Sequence, residues 1–185
     1  MEIKEKAEEY AKNKILNTLN DIVAEAYMEG YKQGYKDHEA QMPVEFQVDD
    51  IEYVNLGLPS GTLWAKNYVT VDGDILYLPY DKVKEYKIPT LEQFEELKKY
   101  CKRRTKRLGE NLEYKIFLGT NGSQCKITNV GYCKGNQIIN RNFCEFWLYD
   151  DEPEGNYRLT AYLTKDHAST NSSFMGLQLP MLLVK

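Results

Sequence analysis

Apolar residues recur along the first part of the chain at Ile3, Ala7, Ala11, Ile15, Leu19, Ile22 and Ala26, with Leu16, Val23 and Tyr27 beside them and Glu, Lys and Asn opposite. Steps of four and three describe one stripe of an α-helix. No Pro interrupts residues 1–39, and the first Gly is Gly30, so the pattern predicts one long amphipathic helix there. Such a helix of roughly 35 residues would be about 50 Å long, more than the remaining residues of a small domain can easily cover. The stripe either folds back on its own domain or docks on another chain. Its length favours docking, through Ile15, Leu19, Ile22, Val23, Ala26 and Tyr27, by a short coiled coil or attachment to a larger assembly.

Pro43 ends that pattern, because the residue before a proline avoids the helical region and the ring cannot continue the ladder. Residues 40–52 read as a linker and first strand, and from Val44 the period becomes alternation, through Phe46, Val48, Ile51 and Tyr53. Tyr53-Val54-Asn55-Leu56-Gly57-Leu58-Pro59-Ser60-Gly61-Thr62-Leu63-Trp64-Ala65 reads as strand, Gly/Pro turn and second strand. In Ile88-Pro89-Thr90-Leu91-Glu92-Gln93-Phe94-Glu95-Glu96-Leu97, Thr90 can cap a helix with Gln93 completing a capping box, and Leu91, Phe94 and Leu97 form its buried stripe. The cations Lys98, Lys99, Lys102, Arg103, Arg104, Lys106 and Arg107 then read as the helix's C-terminal end. Leu112–Leu118, the Asn121-Gly122 pair and Cys125-Lys126-Ile127 predict a hairpin.

The 185 residues are 42% hydrophobic and 28% charged with a net charge of −4. That suits a soluble globular chain and does not favour a nucleic-acid or anionic-membrane partner for the molecule as a whole. No run approaches the ~18 apolar residues of a membrane span. The opening residues, rich in Glu and Lys, lack the apolar stretch of a signal peptide, so synthesis in a bacterial cytoplasm is expected. Cys101, Cys125, Cys133 and Cys144 have no metal-knuckle spacing and read as reduced structural thiols. The 15 tyrosines outnumber the 6 phenylalanines, a bias that suits contact surfaces.

Catalytic chemistry is sparse. His38 and His167 are the only histidines, and a Ser-His or Cys-His pair would have to use His167, in the polar stretch 165–173. Asp150, Asp151, Glu152 and Glu154 around Pro153 offer oxygen ligands suited to Ca²⁺, but an exposed acidic turn outweighs that reading. Trp147, Tyr149, Tyr157, Arg158, Tyr162, Asn171 and Phe174 mix aromatic anchors with adaptable polar groups, the composition of a binding surface. Strand alternation would turn about half of them inward.

Four segments carry a family resemblance: Tyr53–Ala65, Lys87–Leu97, the run from Val130-Gly131-Tyr132 to Phe143–Leu148, and Ala161–Val184. Over residues 53–185 the chain resembles the Fibrobacter succinogenes-type major paralogous domain, a family of gut Bacteroidetes and their phages. The resemblance implies an α+β, C-type-lectin-like domain of short, mostly antiparallel strands with one or two helices, whose closing strand returns near the first. It departs in a short 70–86 segment and in Leu179 and Met181 beside the last Pro. The acidic run is similar to the sugar-binding loop of calcium lectins, although Glu154 stands where that loop has an amide. The resulting expectation is a non-enzymatic phage or prophage virion component without a required cofactor. Its helix assembles and its lectin-like domain offers a surface to a host glycan or protein. The alternatives are a capsid or tail cement protein without a ligand and an intracellular regulator using the basic 98–107 segment on nucleic acid.

Overall fold

The chain divides into two units, Met1–Val44 and Glu45–Lys185. A computed structural model describes residues 29, 49–108, 112–134, 137–139, 142–151 and 155–185. The expected N-terminal helix, with Ile15, Leu19, Ile22, Val23, Ala26 and Tyr27, lies outside the described residues. So do the strand positions Val44, Phe46 and Val48, and Glu152 and Glu154 of the acidic run.

The second unit is built mostly of small antiparallel sheets with few helices. Strands β1 (Tyr53–Asn55) and β2 (Leu63–Ala65) pair with Tyr53 opposite Ala65. The chain's last residues close on the other edge of β2: Leu63 and Lys185 exchange backbone hydrogen bonds of 3.0 and 2.9 Å, and Trp64 pairs with Val184. A tight hairpin of β3 (Thr70–Val71) and β4 (Asp74–Ile75) turns through Asp72 and Gly73. Both have positive φ, as the favoured two-residue hairpin turn requires. Strand β5 (Tyr77–Leu78) pairs with β14 (Leu179–Pro180).

After the short helix α1 (Tyr80–Val83), helix α2 (Leu91–Tyr100) begins with the expected capping box. Gln93 N–H donates to Thr90 Oγ1 at 3.3 Å, and Thr90 N–H to Gln93 Oε1 at 2.9 Å. Phe94 and Leu97 are fully buried, and Phe94 meets Phe146 edge-on at 5.9 Å. The stripe is narrower than expected, since Leu91 is 36% exposed; the first-turn position looks outward.

Helix α2 ends at Tyr100, and Lys102–Leu108 is strand β6, not a helix end. It is held by the full length of β7 (Leu112–Leu118), which pairs in turn with β8 (Gln124–Thr128), in the order β6-β7-β8. The β7–β8 hairpin falls where the Asn-Gly pair places it. Gly119 is obligatory for a different reason: a Cβ there would lie 2.1 Å from the Leu56 carbonyl oxygen, so only glycine lets the hairpin end lie on the first strand's continuation.

Strands β9 (Tyr132–Lys134) and β10 (Gln137–Ile139) form a small ribbon. A third sheet, in the order β11-β12-β13, comprises Cys144–Trp147, Tyr157–Leu163 and Ala168–Phe174. The polar stretch around His167 is therefore a turn leading into a strand rather than a loop throughout: β12 pairs residue for residue with Ala168–Phe174. The core between these layers contains Leu56, Trp64, Phe94, Phe117, Ile127, Phe146, Trp147 and Leu163, all at most 2% exposed. Among the described residues no helix is long and apolar enough to cross a membrane.

Candidate recognition surfaces

The seven expected surface residues separate into three groups. Trp147 is a correction: it is 2% exposed, its indole N–H donates to the Leu78 carbonyl at 2.9 Å, and its ring meets Tyr80 edge-on at 5.6 Å. All four residues of β11 are buried, so alternation exposes no side chain there. It supports a surface without belonging to it.

Tyr149, Tyr157, Arg158 and Phe174 lie at the same end of this sheet but not on one face, since Tyr157 and Arg158, consecutive in β12, turn to opposite sides. Tyr149 is 41% and Tyr157 58% exposed. Tyr157 stands opposite Phe174 across the β12–β13 pair and meets its ring at 6.1 Å. The Arg158 guanidinium lies 5.4 Å from the centre of the Tyr80 ring and donates through Nη1 to the carbonyls of Gly155 and Tyr157 at 2.8 and 2.7 Å. Such a cation–ring stack fixes a long side chain in one orientation. Beneath it Tyr80 anchors the Tyr149–Asp150 turn, since the Asp150 N–H donates to its hydroxyl at 3.0 Å. Burial pushes the Tyr80 phenol above its ordinary value, so it stays a neutral hydroxyl at physiological pH.

Tyr162 and Asn171 lie elsewhere on the same sheet. Tyr162 packs on Phe143 at 5.0 Å, and Asn171 is exposed opposite Thr160. Beneath this face sits Glu145, 5% exposed, its Oε1 accepting from Thr160 Oγ1 at 2.8 Å and Ser173 Oγ at 2.6 Å.

The sheet β6-β7-β8 presents a second surface. Alternation puts Lys102, Arg104, Lys106, Tyr114, Ile116, Gln124, Lys126 and Thr128 on one face, and no carboxylate is among them. Lys102, Arg104, Lys106 and Lys126 are exposed, and Tyr114 is half-buried with the Lys126 ammonium 4.6 Å above its ring. The sequence reading missed this aromatic–cation arrangement because Tyr114 and the basic run are brought together only by strand pairing.

Asp150 and Asp151 are described, and among the described residues no group of three or more His, Cys, Asp and Glu is placed to hold a metal ion. His167 is exposed in the β12–β13 turn, where its N–H donates to Thr164 Oγ1 at 3.1 Å. Cys101, Cys125 and Cys144 are buried thiols. Burial pushes Cys101 up to about 11 and both Cys125 and Cys144 up to about 12, so these three are neutral, unreactive groups near pH 7. Comparison of the chain with protein-family models, curated proteins and solved structures gives no match.

Proposed function

We propose that this chain is a non-enzymatic recognition protein of a phage or prophage particle. The N-terminal segment assembles it, and a C-type-lectin-like domain offers Tyr149, Tyr157, Arg158 and Phe174 to a host glycan or protein. The observation that carries this reading is the exposure of Tyr149 and Tyr157 at the end of the sheet where Tyr80 already orients Arg158. Aromatic faces stack on sugar rings or fill a partner's pockets, and a pre-oriented guanidinium loses little entropy when it binds a carboxylate or hydroxyl pair. The return of the C-terminal segment to β2 supports the lectin-like assignment.

The full chain should bind host cells or a subset of an arrayed glycan panel, and the double variant Tyr149→Ala/Tyr157→Ala should lose at least tenfold in affinity, as hot-spot aromatics do. Blank arrays and unchanged cell binding in that variant would defeat the reading and leave a decoration role. The assembly half is tested apart: light scattering of a chain with Leu19→Asp and Ile22→Asp should show a lower mass than the parent.

A second reading rests on the basic face of β6-β7-β8. Cations at every second residue of β6 stand about 7 Å apart, and Tyr114 offers a ring on which a base can stack. Single-stranded nucleic acid would then bind with strong salt dependence. A binding isotherm flat between low and physiological salt excludes it.

A further inference from the structure

Lys115 is in the middle of the central strand β7 with no surface exposed. An ammonium has three N–H groups to satisfy, and the hydrogen bond Lys115 makes is to Glu113 Oε1, at 2.5 Å. The same oxygen accepts from the side-chain amide of Asn129, Nδ2 to Oε1 at 3.2 Å. Asn129 is itself 3% exposed, and its Oδ1 accepts from the Cys144 thiol at 2.8 Å. Strand register makes this assembly stiff. Tyr114 pairs with Thr128, and the Asn129 N–H donates to the Glu113 carbonyl at 2.7 Å. Glu113 thus lies opposite Asn129, with Lys115 the diagonal neighbour on the same face, within side-chain reach.

A buried lysine held by a glutamate is ordinarily a structural ion pair. That role requires neither a primary amide on the same carboxylate oxygen nor a hydrogen-bond donor on that amide's carbonyl. Together the four groups supply a nucleophilic amine, a carboxylate touching both that amine and the nitrogen that would leave, and a donor where negative charge would develop. We propose that Lys115 and Asn129 join in an intramolecular isopeptide bond.

In the step, Lys115 Nζ gives a proton to Glu113 and attacks Asn129 Cγ, while the Cys144 S–H stabilises the charge growing on Oδ1. Glu113 relays the proton to Nδ2, the Cγ–Nδ2 bond breaks, and ammonia leaves as the Nζ–Cγ amide forms. Lys115 gives up a second proton, which leaves with the ammonia as ammonium. No oxidant or activated co-reactant is needed. Glu113 ends as a carboxylate still facing Arg107 Nε at 3.2 Å, and the interior has exchanged an ammonium with few acceptors for a neutral amide. Burial keeps the Cys144 thiol protonated, its value pushed up to about 12, as a donor at this position must be.

Intact-mass measurement of the purified, folded full chain after denaturation decides the matter. The expected mass is one ammonia below that of the sequence, with a proteolytic digest yielding a branched peptide that joins Lys115 to Asn129. Glu113→Gln and, separately, Asn129→Ala should each restore the full mass calculated for the variant and a linear Lys115 peptide. If either variant fails to fold, the parent's digest still gives the answer. The proposal is overturned if the folded parent has the full sequence mass, or if its ammonia loss maps to a succinimide at Asn121-Gly122 rather than to a branch.

Discussion

The sheets β6-β7-β8 and β11-β12-β13 have three antiparallel strands each and turn one face into the same interior, yet they treat charge in opposite ways. The first carries four exposed cations outside and buries Lys115, which it satisfies with the carboxylate of Glu113. The second carries Ser169, Thr170, Asn171 and Ser172 at exposed positions and buries Glu145, which it satisfies with the hydroxyls of Thr160 and Ser173. A buried cation served by one ionic partner depends wholly on that partner. A buried carboxyl served by two neutral donors can lose one and keep the other. The difference extends outward: one sheet attracts polyanions over a distance, while the other must act through contact.

The contrast should be clearest in the interior. Glu113→Ala prevents the Lys115–Asn129 bond and strands a Lys115 ammonium without its carboxylate, and should cost at least about 3–5 kcal/mol in urea unfolding; a loss near zero would mean that Glu113 does not hold the sheet. Alkaline pH probes one thiol in each sheet. Cys125 and Cys144 are raised by burial from about 9 to about 12, so their stabilisation is complete below pH 9. It is then lost as pH rises, because the unfolded chain releases those protons first. At about pH 10.5 each thiol should have removed about 2 kcal/mol, and Cys125→Ala should flatten the thermal melting profile against pH in that range.

Removing one donor from the second sheet is milder. Thr160→Val should cost about 1–3 kcal/mol, less than Glu113→Ala, since Ser173 still serves Glu145. The smallest effect belongs to the exposed face. Lys102→Glu, Arg104→Glu and Lys106→Glu should each change stability by no more than about 0.5 kcal/mol. If the outer face holds a phosphate backbone, each should also lower the salt slope of binding by about one.

Much of the local architecture was legible. The capping box at Thr90, the hairpin turn at Asn121-Gly122 and the strand-turn-strand around Gly57 and Gly61 rest on interactions within a few residues, so the chain's own order specifies them. Strand β6 was not legible, because Lys-Arg-Arg-Thr-Lys-Arg contains no apolar alternation, and only the seven-residue pairing with β7 makes it extended. Trp147, expected outside, went inside because an indole with a carbonyl partner at Leu78 can be buried fully. Tyr149, Tyr157, Arg158 and Phe174 were named from composition, but that Arg158 stacks on Tyr80 while Tyr157 meets Phe174 on the opposite face was not legible.

By itself the sequence determined where the period changes, which turns are tight, which helix is capped, and that reactive histidine and metal-knuckle chemistry is scarce, since each depends on residue type and short spacing. Which face each alternating strand turns inward was decided only by tertiary packing. Period-two order leaves Glu113 and Lys115 as eligible for solvent as Tyr114 and Ile116. The choice was made by strand register and by what lay across the sheet: Asn129 opposite Glu113, and Cys144 in contact with that amide.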